Sequence, residues 1–150
     1  MAIHVSQLDA PLARPTTGRA ALYSGRALSG VAMAFLLMDA SMKLLLRPEA
    51  VAGTVELGYP ASALLGIGVL QLVLWVVHAV PRTAVLGALL WTGYLGGAVA
   101  THVRVGNPLF THVLFPVYVA TFLWAGLWLR EPRLRALLPV ERGSRAGLPS

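Results

Sequence analysis

The sequence predicts an all-α integral membrane protein, a four-helix antiparallel bundle with both termini in the cytoplasm. Three observations carry that prediction. Hydrophobic residues make up 57% of the 150 and charged residues 12%, about half the charged share of an ordinary soluble domain. So few polar groups cannot cover the large relative surface of a small soluble fold, and the surplus apolar side chains need lipid. Four apolar segments of 19 or 20 residues follow one another along the chain, each enough to cross a hydrocarbon core of roughly 30 Å at about 1.5 Å per residue. The arginines, finally, gather on one side of the topology those segments imply.

Residues 1–26 read as a cytoplasmic leader. The stretch "LDAPLARPTTGRAALYSG" has no apolar core and no small-residue cleavage site of the kind a secretory signal needs. Residues 27–129 form the membrane domain, with spans at 27–46, 62–80, 83–101 and 110–128. In lipid every backbone group must be satisfied within its own segment, so each span is a helix. The first closes at Arg47-Pro48 and the second at Pro81-Arg82, a turn so short that spans two and three form an antiparallel hairpin. Gly106-Asn107-Pro108 turns the chain into the fourth, and the longer "PEAVAGTVELGYP" connection caps the bundle as a loop. Residues 130–150 are a basic cytoplasmic tail. Arg14, Arg19, Arg26, Arg82, Arg130, Arg133, Arg135, Arg142 and Arg145 share the inner side, against Arg47 and Arg104 outside. The net charge of +6 therefore reflects membrane orientation rather than nucleic-acid binding.

The chain has no cysteine, which excludes disulfides, thiol relays, thiolate metal sites and c-type haem attachment. No flavin, haem or iron–sulfur motif occurs, and no metal site is assigned. The glycines of "GYLGGAVA" and "GIG" read as close-packing faces between helices.

The polar residues inside the apolar segments are the candidate site. Asp39 and Lys43 stand at i and i+4 in "FLLMDASMKLLL", about 40° apart around the helix. Each charge alone costs roughly 2.5–3.5 kcal/mol at the centre of a membrane helix. One reading makes them a local salt bridge that permits insertion, with Lys43 free to snorkel outward. The other makes them a proton relay and donor at a functional site, since a buried pair seldom stabilises more than two leucines would. Counting from segment centres puts Asp39, Gln71, Tyr94 and Tyr118 near mid-depth. Lys43, His102, Arg104 and His112 lie toward the outer end, and His78 near the inner end. Asp39, Lys43, Gln71, Tyr94, His102, Arg104 and His112 thus form an expected polar pocket opening outward. Gln71 alone also suits interhelical hydrogen bonding, and the two histidines suit the membrane interface.

Four stretches, "SMKLLLRPE", "LGYP", "PRTAVLGA" and "GGAVATHVRVGNPLF", resemble the DoxX-like family of small bacterial four-helix membrane proteins, over about residues 26–137. The resemblance implies a multi-pass protein of the bacterial plasma membrane linked to respiratory or detoxifying redox chemistry. The namesake is tied to a thiosulfate:quinone oxidoreductase, others to quinone or catechol resistance and oxidative-stress complexes. Relatives commonly carry a glutamate where this chain has Gln71, which shifts any proton carrying onto Asp39. Three functions follow as expectations: a quinone-interacting membrane subunit with an oxidoreductase partner, a non-catalytic scaffold holding a soluble oxidoreductase through the tail "LREPRLRALLPVERGSR", or a small transporter. The broken segments and internal repeats that transporters use are missing from the sequence.

Overall fold

The computed structural model describes residues 18–137. Four long helices, α1 (Arg19–Leu44), α3 (Ala63–Ala79), α4 (Ala84–Arg104) and α5 (Phe115–Arg130), are joined by a short α2 (Pro48–Glu56) and followed by α6 (Pro132–Leu137). They pack as a ring, with α1 and α4 each lying between α3 and α5. Three apolar runs, Arg19–Leu44, Ala84–Arg104 and Leu109–Arg130, are long enough to cross a membrane; α3 is shorter at 17 residues.

The burial pattern is that of a membrane bundle. Large side chains such as Val69, Val73 and Val76 on α3, Leu86 and Leu89 on α4, and Phe122 on α5 face outward. A thin core of Ala32, Leu36, Leu74, Trp91, Leu95 and Leu123 fills the centre. A second cluster, Ala84, Ala88, Leu127 and Leu134, closes the end that carries Arg82 and Arg130.

Three helices stop in the same way at the opposite end. After α2 and α4 the chain turns through Gly58 (φ 80°) and Gly106 (φ 74°), and the next residue's N–H returns to the third-last carbonyl, Tyr59 to Thr54 at 3.1 Å and Asn107 to His102 at 3.0 Å. A proline then bars the helix from resuming. After α1 the same bonds form, Arg47 to Met42 at 3.0 Å and Leu46 to Lys43 at 3.1 Å. Here Leu46 holds the left-handed conformation, φ 51°, at a cost of about 1 kcal/mol that glycine would avoid. "LRP", "GYP" and "GNP" are therefore one stop signal used three times.

Two expectations need correction. The connection after the first span is not a plain loop, because Pro48 at the first helical position starts α2. The fourth segment is not one uniform α-helix. It opens with a single π turn, Leu109–Val113, whose wide bonds run from Val113 to Pro108 at 3.3 Å and Leu114 to Leu109 at 2.8 Å. Pro116 accounts for the break, since it has no N–H to give the carbonyl one turn back, at His112, and its ring crowds that carbonyl.

The close-packing glycines are also not the expected ones. A Cβ on Gly66, Gly93, Gly96 or Gly97 would meet nothing within 4 Å, whereas Gly68 does pack on Lys43 and Leu44. The tight crossings are Gly25 of α1 against Gly126 of α5, and Gly87 of α4 against the backbone of His78. Both draw the helices together at the Arg82 and Arg130 end. Space remains at the other.

Candidate functional site

That space is a cavity of about 750 Å³ between the four long helices, with α2 across its mouth. Apolar walls come from Phe35, Leu36, Ile67, Leu95, Phe115 and Val119, with the Phe35 and Phe115 rings edge to face at 5.1 Å. Six of the seven expected residues line it: Asp39, Lys43, Gln71, Tyr94, His102 and His112.

Asp39 is the hub. Lys43 Nζ donates to its Oδ2, and Gln71 Nε2 donates to the same oxygen from α3 at 2.6 Å. Two donors, one of them the Lys43 ammonium, thus converge on a single Asp39 oxygen. The Lys43 side chain is 16% exposed and that of Asp39 35%, the exposed part facing the cavity. The pair is thus joined locally and also lines the interior space. Gln71 is 1% exposed, and its Oε1 has no partner among the described residues.

Tyr94 packs edge-on against the fully buried Trp91, ring centres 5.4 Å apart. At the mouth, the two stop signals supply residues that sequence reasoning missed. Thr101 donates its hydroxyl to Gly97 O at 2.9 Å, so the Tyr59 hydroxyl is the donor in its 2.9 Å bond to Thr101. Asn107 Nδ2 donates to His102 Nδ1 at 2.8 Å, which places the proton of the neutral His102 ring on Nε2. His112, an exposed residue of the π turn, sets its ring 5.9 Å from His102. The glycine-x-proline spacing was the available signal for Tyr59 and Asn107. Glu49, Thr54 and Glu56 of α2 complete the rim.

Arg104 is the expected pocket residue that the structure sets elsewhere. It is exposed, donates Nη2 to Leu57 O, and holds its guanidinium 6.0 Å from the centre of the Tyr59 ring. As the last residue of α4 it reaches across the rim and fastens the turn after α2. Tyr118, counted near mid-depth, is 44% exposed. No cluster of three or more metal-ligating side chains occurs among the described residues.

A helical bundle with an apolar exterior and a polar-floored interior cavity defines a membrane protein that can hold a small amphipathic molecule. The model of the DoxX-like family matches residues 27–126, two thirds of the chain, and the protein belongs to that family. No curated protein and no solved structure matches it.

Proposed function

We propose that this protein is a quinone-linked redox or oxidative-stress subunit of the bacterial plasma membrane, with all four long helices spanning and both termini cytoplasmic. One observation carries the redox reading: a carboxylate held by Lys43 and Gln71 is partly open to an aromatic-walled cavity of about 750 Å³. That volume lies within the range of small-molecule sites.

The residues suit a quinone. Phe35, Phe115 and Val119 offer an apolar slot for the ring, while Lys43 has two further N–H donors and Tyr94 a hydroxyl for its oxygens. A quinone held here would supply the electron-accepting chemistry, with an oxidoreductase partner as the electron source. Asp39 accepts or relays the proton that accompanies them, and the Nε2–H of His102 is a further donor within the cavity lining.

Quinone measured by mass spectrometry in gently solubilised, purified protein is expected in the wild type and lost in Asp39→Asn and Lys43→Ala. Equal quinone in all three, or none in the wild type, would overturn the reading.

The orientation rests on nine inner arginines against two outer ones. A reporter enzyme that works only in the cytoplasm, fused after Ser150, is expected to be active. Activity solely from a reporter that works outside would reverse the topology.

A further inference from the structure

At the end of the bundle away from the cavity, a groove of about 200 Å³ lies between α1, α3 and α5, lined by Arg26, Ser29, Gly30, Trp75, His78 and Arg130 among others. It lies beside the crossing of Gly25 and Gly126. A Cβ on Gly25 would lie 3.2 Å from the backbone nitrogen of Arg130, so α1 and α5 approach too closely at this level to keep Arg26 and Arg130 apart.

Two guanidinium groups gathered at a helix crossing repel each other unless something neutralises them. Arg26 makes no ion pair among the described residues. Arg130 has a long 3.5 Å contact from Nη2 to His78 Nε2, and a histidine facing an arginine gives it no negative charge. Glu131, the one acid at this end among the described residues, attracts Arg130 from beside the groove but does not line it, so it offsets at most one of the two charges there. Below the arginines, Ser29 is 3% and His78 1% exposed, and Ser29 Oγ has no hydrogen-bond partner among the described residues. Gly30 keeps the entrance open, since a Cβ there would meet nothing within 4 Å.

We propose that this groove binds a phosphate group, either the headgroup of an anionic lipid or a free phosphate. The guanidinium plane matches phosphate oxygens two at a time. Basic pockets between membrane helices on the cytoplasmic side suit such headgroups, and the indole of Trp75 and the thioether of Met33 give the start of an acyl chain an apolar wall.

The test is native mass spectrometry of the full chain in detergent, titrated with phosphatidylglycerol or phosphatidylcholine, with and without inorganic phosphate. Phosphatidylglycerol is expected to bind at least tenfold tighter than phosphatidylcholine. Arg26→Gln and Gly30→Leu, both at exposed positions, should each weaken it about tenfold. Arg82→Gln, which removes the same charge from the same end but outside the groove, should leave it unchanged. Displacement of the lipid by inorganic phosphate would identify a site for soluble phosphate, and retention would identify a lipid-headgroup site. Lipid binding unaltered by Arg26→Gln and Gly30→Leu, or weakened equally by Arg82→Gln, would overturn the proposal.

Discussion

Asp39→Ala is expected to lose both stability and the cavity's ligand, whereas the triple change Asp39→Leu, Lys43→Leu, Gln71→Leu should restore stability alone. Removing Asp39 strands two donors at once: Lys43 Nζ, on a side chain only 16% exposed, and Gln71 Nε2, on a residue 1% exposed. Breaking one side of a buried ion pair costs about 3–5 kcal/mol. The cavity lets water reach Lys43 in part, so about 1–3 kcal/mol is the expected loss here. The triple variant leaves no charge and no amide behind, and it also removes the unpartnered Oε1 of Gln71.

Leucines at all three positions should therefore match or exceed the wild type in thermal midpoint in detergent. They offer nothing to a quinone oxygen, so bound quinone and quinone-dependent activity should both vanish. A structural salt bridge and a functional one part company in this variant. If the triple change kept the ligand, Asp39 and Lys43 would be insertion chemistry and the site would lie elsewhere.

Much of this arrangement was legible because membrane helices write their length in the sequence. The position of Asp39 against Lys43 follows from helical spacing within α1, and both line the cavity. The bond from Gln71 to Asp39 does not follow from spacing, since it depends on how α3 is rotated against α1. Helix α2 and the π turn were hidden for a related reason. Each is set by a proline whose local effect is readable, Pro48 or Pro116, but the consequence depends on the chain packed around it. Arg104 misled because depth alone was counted: it stands at the right height and the wrong azimuth, on the rim over Leu57 and Tyr59. Glycines misled most. The runs "GYLGGAVA" and "GIG" carry the pattern of a packing face, yet only Gly68 of those five meets another helix, while isolated Gly25, Gly87 and Gly126 make the close approaches. What a glycine does is decided by what faces it.

That distinction predicts opposite outcomes for the same substitution. In Gly126→Leu the Cβ alone would come within 2.7 Å of Gly25 O and of Ser29 N. Both are backbone atoms, which cannot rotate away, so α1 and α5 must separate. Overpacking of a tight site costs about 1–3 kcal/mol or more, and here the extra carbons beyond Cβ compound it, so little folded Gly126→Leu protein should be recovered. Gly126→Ala should be recovered with a clearly lowered thermal midpoint. Gly96→Leu, on a face with nothing within 4 Å, should sit near the wild type. A wild-type midpoint in Gly126→Ala would mean that α1 and α5 do not cross where these contacts set them. The effect should also reach the far end of the bundle. Phe35 of α1 and Phe115 of α5 close one wall of the cavity at 5.1 Å, and helices forced apart at Gly126 pivot about that contact or break it. Ligand retention in Gly126→Ala should fall together with stability although no residue of the cavity has changed, because the cavity exists only where the crossing at the opposite end lets the helices diverge.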